Sequence, residues 1–164
     1  MAHDTRREFG ELIERHRAIV FKVANTYCRD PHDRADLAQE IAAQLWRAWP
    51  GYDRARPFTT WMYRIALNAA ISFVRADSHR QRHAVPLDEE LHDIADGNAG
   101  NAESEQRLDL LQGFIRAQAP LDRALLLLYL DERSGREIAD ILGISESNVS
   151  TKISRLKQRI RSEL

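Results

Sequence analysis

Cysteine is nearly absent from this chain of 164 residues, where Cys28 stands alone. A single thiol excludes an internal disulfide and a cysteine-rich zinc site. Turn-formers are scarce as well, with 7 glycines and 5 prolines. That scarcity disfavours an all-β sandwich or barrel, which needs frequent turns. No apolar run approaches the roughly 20 residues of a membrane-spanning helix, and the longest, residues 124–130, is far shorter. Residues 1–8 are polar and lack the apolar stretch of a signal peptide. The expectation is a cytoplasmic protein with no membrane insertion. Catalytic signatures are missing too. The histidines are scattered, and there is no H-E-x-x-H, no nucleophile elbow and no glycine-rich phosphate loop. Cys28 has no foreseeable histidine partner and reads as a passive thiol. No catalytic residue, metal or cofactor is expected.

What is present is helix-forming and charged. Apolar residues make up 43% and charged residues 30%, and the net charge is only −1. A chain so balanced is not an indiscriminate nucleic-acid binder, but the mean conceals a pattern. Residues 1–85 carry a net +4, residues 86–111 a net −7 and residues 112–164 a net +2. Charge asymmetry of this kind marks a linker or an interaction segment.

The first half reads as three long helices. Thr5-Arg6-Arg7-Glu8 has the form of a capping box. An apolar stripe follows through Phe9, Leu12, Ile13, His16, Ile19, Val20, Val23 and Ala24 and stops near Cys28. Asp30-Pro31-His32-Asp33 forms a turn into a second helix, about residues 33–49, with Leu37, Ile41, Leu45 and Trp49 in one row. Its opposite face carries Asp36, Gln39, Glu40, Ala43 and Arg47. Residues 50–57 form a loop with Tyr52, Asp53, Arg54 and Arg56. A third helix runs from about residue 59 to 79, with an expected interior row of Trp61, Ile65, Leu67, Ala69, Ser72 and Phe73. Tyr63, Arg64, Asn68, Ile71 and Arg75 lie around the remainder. Periodicity is lost over residues 84–104, an acidic, Gly/Asn-rich stretch expected to be a flexible linker.

The second half is helical again. Leu108, Leu111, Gly113, Ile115 and Ala119 suggest one amphipathic helix, and residues 121–130 a buried central one. Ser134-Gly135-Arg136-Glu137 is a second capping box. It opens a short helix with Ile138, Ala139, Ile141 and Leu142 on its apolar side. Gly143 can end that helix with a positive φ, and Ile144 is expected as a buried turn residue. Ser145 caps the next helix, whose inward row is Val149, Ile153, Leu156 and Ile160. The spacing Ala139-x3-Gly143-x5-Val149 is a helix-turn-helix pattern. The outward face then holds Ser147, Asn148, Ser150, Thr151, Lys152, Ser154, Arg155 and Lys157, with Arg159 and Arg161 nearby. Short hydroxyl side chains let a helix approach a major groove closely. Arg155 can read guanine bidentately, and the other cations can meet phosphates.

These motifs resemble a known family. Glu137-Ile138-Ala139-Asp140-Ile141-Leu142-Gly143-Ile144-Ser145, followed by Asn148-Val149-Ser150, is similar to region four of bacterial sigma factors. Ala119-Pro120-Leu121-Asp122-Arg123-Ala124-Leu125 fits the helix leading into it. Asp36-Leu37-Ala38-Gln39-Glu40-Ile41-Ala42-Ala43-Gln44-Leu45-Trp46 resembles the polymerase-binding helix of region two. Phe58-Thr59-Thr60-Trp61-Met62-Tyr63-Arg64-Ile65-Ala66-Leu67-Asn68 resembles the helix after that. Together they cover nearly the whole chain and match the two-domain extracytoplasmic-function (ECF) type of the sigma-70 family.

The resemblance implies an all-α chain of two small helical domains joined by a flexible acidic linker. The region-two domain spans residues 1–83, the linker 84–104 and a helix-turn-helix domain 105–164. It implies that Asp36, Gln39, Glu40, Ala43 and Arg47 bind core RNA polymerase at the β′ clamp coiled coil, with the β subunit as a further contact. It implies that Tyr52, Arg54, Arg56, Tyr63, Arg64, Asn68 and Arg75 open and hold single-stranded minus-ten DNA. Tyr63 and Arg64 are expected to face outward, and Trp61 to sit in the core. The recognition helix, through Ser147 to Lys157, would read duplex DNA at the minus-thirty-five element. A cognate anti-sigma factor is a further implied partner. The acidic linker either mimics phosphate charge in the RNA channel or simply keeps the tether extended. Two departures stand out. The basic end of the third helix, Arg75 to Arg82, is diluted by Asp77, and Ser150 is short where relatives often carry a large or basic residue. The alternative reading is a stand-alone helix-turn-helix regulator with a helical N-terminal domain.

Overall fold

The structure, a computed structural model, describes residues 2–81 and 102–164. Among the described residues all regular structure is helical: α1 (Ala2–Arg15), α2 (Arg17–Tyr27), α3 (Pro31–Ala48), α4 (Phe58–Gln81), α5 (Ala102–Arg116), α6 (Pro120–Leu130), α7 (Gly135–Leu142) and α8 (Glu146–Glu163). A 3-10 turn, Trp49–Gly51, follows α3. Arg82 and His83 and the expected linker residues 84–101 lie outside the described residues. Residues 102–104, also expected in the linker, open α5.

The single N-terminal helix expected from the apolar stripe is two helices. At His16 the backbone leaves helical geometry (φ −113°, ψ 17°). The break lets the stripe bend round, and the His16 ring meets Phe58 at 5.4 Å. A stripe with helical spacing on both sides of a one-residue kink is indistinguishable from a continuous one. The capping box at Thr5 is also corrected. α1 begins earlier, at Ala2, and Glu8 instead holds Arg54 through two 2.6 Å hydrogen bonds. The pair joins two ionised groups through two parallel bonds, whereas a capping contact would offer the Glu8 carboxylate a single amide donor.

α3 starts at Pro31 because Asp30 caps it, accepting from the His32 amide at 2.9 Å, and proline suits the first helical position. Leu37, Ile41 and Leu45 are fully buried. Trp49 leaves their row and joins an aromatic cluster with Phe9, Tyr52, Phe58 and Trp61, at centroid distances of 5.2 to 6.5 Å.

α4 is the central helix, packed by α2 and α3 and, from the C-terminal half, by α6 and α7. Its interior differs from the expected row. Met62, Tyr63, Ala66, Leu67, Ala69 and Ala70 are buried, whereas Trp61 and Ile65 are half-buried and Ser72 is exposed. A helix covered on several sides shows weak one-sided periodicity, so the stripe could not be read from spacing alone.

In the second half, Pro120 begins α6 at its first position rather than merely stopping α5. Ala124, Leu125, Leu126 and Leu128 are buried, while Tyr129 and Leu130 are exposed. The α5 row is corrected too: Leu108 is 57% exposed and Phe114 is the buried anchor. The two caps form as expected. Ser134 accepts from the Glu137 amide and Ser145 from the Asn148 amide, each at 3.1 Å. Gly143 sits at φ +71°. Nothing lies within 4 Å of where its Cβ would stand, so glycine is required there for backbone conformation and not for space. The Gly143 and Ile144 amides both bond to the Ala139 carbonyl. Ile144, expected to be buried, is half-buried.

Candidate nucleic-acid and polymerase interfaces

The α7–turn–α8 unit presents the face that the spacing anticipated. Val149 and Leu156 are buried and Ile153 is half-buried against α6 and α7. Ser147, Asn148, Ser150, Thr151, Ser154 and Arg155 are exposed, and Lys152 is half-buried. Thr151 donates to the Ser147 carbonyl at 3.0 Å, which folds its hydroxyl onto the helix. Two cations are repositioned. Lys157 lies over the Tyr129 ring at 4.5 Å and therefore sits at the edge of the face. Arg159 is exposed but anchored, donating to Gln118 at 2.8 Å and lying over Phe114 at 5.6 Å. It ties α8 to α5 and to the turn after it, while Arg161 is an exposed cation near the helix end with no such anchor described above.

The residues proposed for single-stranded DNA divide into three groups. Arg64, Asn68 and Arg75 are exposed and, at spacings of four and seven, share one strip of α4. The loop residues are organised by local bonds. Tyr52 donates to the Arg56 carbonyl at 2.7 Å and stacks on Trp49 at 5.4 Å. Arg54 is engaged by Glu8, as described, while Arg56 stays exposed. Tyr63 contradicts its expected outward orientation. It is 0% exposed, and its hydroxyl donates to Asp131 at 2.7 Å. The cause is tertiary: the turn after α6 covers that side of α4.

On α3, Asp36, Gln39, Glu40, Ala43 and Arg47 are all exposed, opposite the buried Leu37/Ile41/Leu45 row. Glu40 organises this face, accepting from Gln44 at 2.9 Å and Arg47 at 3.4 Å. Exposed pairs of this kind contribute little to stability. Trp46 was missed as a surface feature. It is 46% exposed, with Arg6 over its ring at 5.5 Å and Phe9 at its edge. The crowding of aromatics between positions 46 and 61 was the available signal.

Burial, with Asp33 and Asp77 nearby, pushes the Cys28 thiol up to about 11, so it stays protonated at neutral pH. Burial and the neighbouring Arg15 and Arg133 lower the His16 value and favour its neutral form. Among the described residues no group of three or more His, Cys, Asp or Glu side chains is placed to hold a metal ion.

Comparison with known proteins gives a consistent picture. Residues 12–80 match the family model "Sigma-70 region 2", and residues 119–160 match "Sigma-70, region 4". The probable RNA polymerase sigma factor RfaY of Xanthomonas campestris pv. campestris is 25% identical over 160 residues, spanning 95% of this chain. This chain covers only 40% of that protein's length. The ECF RNA polymerase sigma factor SigW of Bacillus subtilis is 25% identical over 169 residues, covering 95% of this chain and 88% of its own. The fold matches that of the sigma factor RpoE, solved with the anti-sigma factor NepR from Bartonella quintana. The TM-score is 0.72 at 13% identity, over 95% of this chain and 96% of that one.

Proposed function

The chain belongs to the sigma-70 family as an ECF-type member carrying regions two and four, and from that premise we propose that it directs core RNA polymerase to specific promoters and assists their melting. The observation that carries this reading is the exposed hydroxyl and cationic face of α8, held by two serine caps and the Gly143 turn. A recognition helix enters the major groove and reads base edges from its N-terminal residues. Ser147, Asn148, Ser150, Thr151, Ser154 and Arg155 occupy that position in the minus-thirty-five reading, with Lys152 and Lys157 at the margin. Arg64, Asn68 and Arg75 line the minus-ten strip, with Tyr52 and Arg56 in the adjoining loop. The exposed α3 face, centred on Glu40, is the docking surface for the β′ clamp coiled coil.

The chain works in the cytoplasm, beside polymerase and DNA, and needs no cofactor because the polymerase performs the chemistry. The complex of RpoE with NepR supports a cognate anti-sigma factor as a second partner here. A stand-alone regulator would not need a region-two match or an exposed α3 face of this composition.

The test is reconstituted transcription. Specific initiation is expected only when core polymerase is added, while the isolated chain binds DNA weakly and in a salt-sensitive manner. Reversing charge at Asp36 and Glu40 is expected to abolish association with core polymerase while changing stability by no more than about 0.5 kcal/mol. Full competition for core by the doubly changed protein would remove α3 from the assignment. Tight operator binding by the chain alone would favour the regulator.

A further inference from the structure

Asn25 and Thr26 near the end of α2, Arg34 in the first turn of α3, and Gln112, Ile115 and Arg116 near the end of α5 line a cavity of about 210 Å³. None of the six belongs to the faces assigned above to DNA or to polymerase. Arg34 and Arg116 are half-buried, while Asn25 and Gln112 are exposed. Neither guanidinium has a hydrogen bond or ion pair with another described residue. The Thr26 hydroxyl is committed to the Lys22 carbonyl at 2.7 Å. The donors left to the cavity are the two guanidinium groups and the Asn25 and Gln112 amides. No carboxylate and no aromatic ring lines it.

The charges gathered here are unfavourable for the chain alone. The negative end of the α5 dipole accounts for a cation at Arg116. It does not account for Arg34, which stands at the positive end of α3. Nor does it account for the company of further cations. Burial, and then Arg29, Arg34 and Arg123, lower the Arg116 pKa, and Asp109 on α5 only partly offsets them. Asp33 adjoins Arg34 in sequence, but its own pKa is raised by burial and by Asp30, Asp77 and Asp36. Like charges held together oppose folding, and an anion seated between them turns that repulsion into attraction.

The donor set selects an oxyanion. Guanidinium forks match phosphate oxygens bidentately, and the side-chain amides add neutral donors. Size narrows the choice further. Pockets for drug-sized ligands begin at about 300 Å³, so this cavity suits a small ion, and with no ring to stack on it has no place for a base.

We propose that the cavity binds a small phosphate anion, of the size of orthophosphate or pyrophosphate, held between Arg34 of α3 and Arg116 of α5. The site does not rest on the sigma-factor reading. Because its two arginines come from different helices, the bound ion stabilises the folded chain by linkage.

Isothermal titration calorimetry of the full chain with each anion, in chloride buffer at constant ionic strength, tests the site, with melting temperatures recorded in parallel. Saturable one-site binding of at least one anion is expected, with a higher melting temperature in its presence. Arg34→Gln and Arg116→Gln should each weaken binding about tenfold or more, as for loss of one charge-assisted contact. Arg34→Lys, which keeps the charge but not the fork, should fall between. Arg136→Gln, an exposed cation outside the cavity, should bind as the wild type does. Circular dichroism in chloride checks that every variant keeps its helices. No saturable binding of either anion, or undiminished binding in both folded glutamine variants, overturns the site. So does binding of a single-stranded oligonucleotide that both glutamine variants lose and neither small anion displaces, which would assign the arginines to a nucleic-acid backbone.

Discussion

α8 and α4 both carry residues assigned to DNA, and the fold treats them oppositely. α8 lies at the rim of its unit, with α6 and α7 packed on one side. One inward row, Val149 to Leu156, secures it, and a whole face is left for a ligand. α4 is surrounded by α2, α3, α6 and α7. Its exposed residues, among those whose burial is described, are Arg64, Asn68, Ser72, Arg75 and Ala76 along one strip, and it commits Tyr63 to the interior. A rim helix can therefore be read from its spacing, while a central helix needs its neighbours to be known. An aromatic on a central helix is placed by whatever covers it.

The strongest challenge to that contrast is at Tyr63. Tyr63→Ala should cost about 3–5 kcal/mol, as for other buried aromatic truncations. Arg64→Ala, one position on, should stay within about 0.5 kcal/mol. Thermal or denaturant unfolding measures both, and equal costs would mean that α4 is rotated from the orientation described.

The next effect is on α8 and concerns DNA, not stability. Arg155→Ala should cost about 1–3 kcal/mol of discrimination at one base of the upstream element. Arg161→Ala should weaken binding evenly and flatten the salt slope by about one unit. Transcription from promoter libraries separates the two. A changed preference for Arg161→Ala alone would move the reading face round the helix.

Within α8 a smaller contrast tests its start. Ser145→Ala should cost about 1 kcal/mol, because it removes the acceptor for the Asn148 amide. Ser154→Ala, exposed in mid-helix, should be neutral or slightly stabilising, since alanine is the better helix former. Chemical denaturation midpoints decide it.

The most modest effect is acid-dependent and returns to the cover over α4. Asp131 has a pKa depressed below its ordinary 3.8. Its carboxylate, which accepts from Lys22 of α2 at 2.6 Å and from Tyr63 at 2.7 Å, therefore supports the packing of α6 against α2 and α4 fully above that value and loses its contribution as pH falls below it. Scattering from the free chain should show expansion beginning below about pH 4. Lys22→Ala should show a weaker acid transition, having lost one of the donors that depress the value. A wild-type radius unchanged to pH 3 would mean that Asp131 does not help to hold α6 against α2 and α4.

How much was legible differs between these regions for physical reasons. The helix-turn-helix was readable because its determinants are local. A serine oxygen caps an amide three residues on, a glycine adopts a positive φ, and apolar residues at spacings of three and four face one core. The α3 face was readable for the same reason. The kink at His16, the pairing of Glu8 with Arg54, the anchoring of Arg159 and the burial of Tyr63 were not. Each depends on a partner distant in the chain: Phe58 for His16, Arg54 for Glu8, Gln118 for Arg159 and Asp131 for Tyr63. The sequence by itself determined the helical class, the serine-capped start of α8 and the exposed face of α3, because helix caps and amphipathic periodicity act within one or two turns. Only the tertiary structure decided which side of α4 is interior and which charges are engaged, because those depend on which helices come to lie against one another.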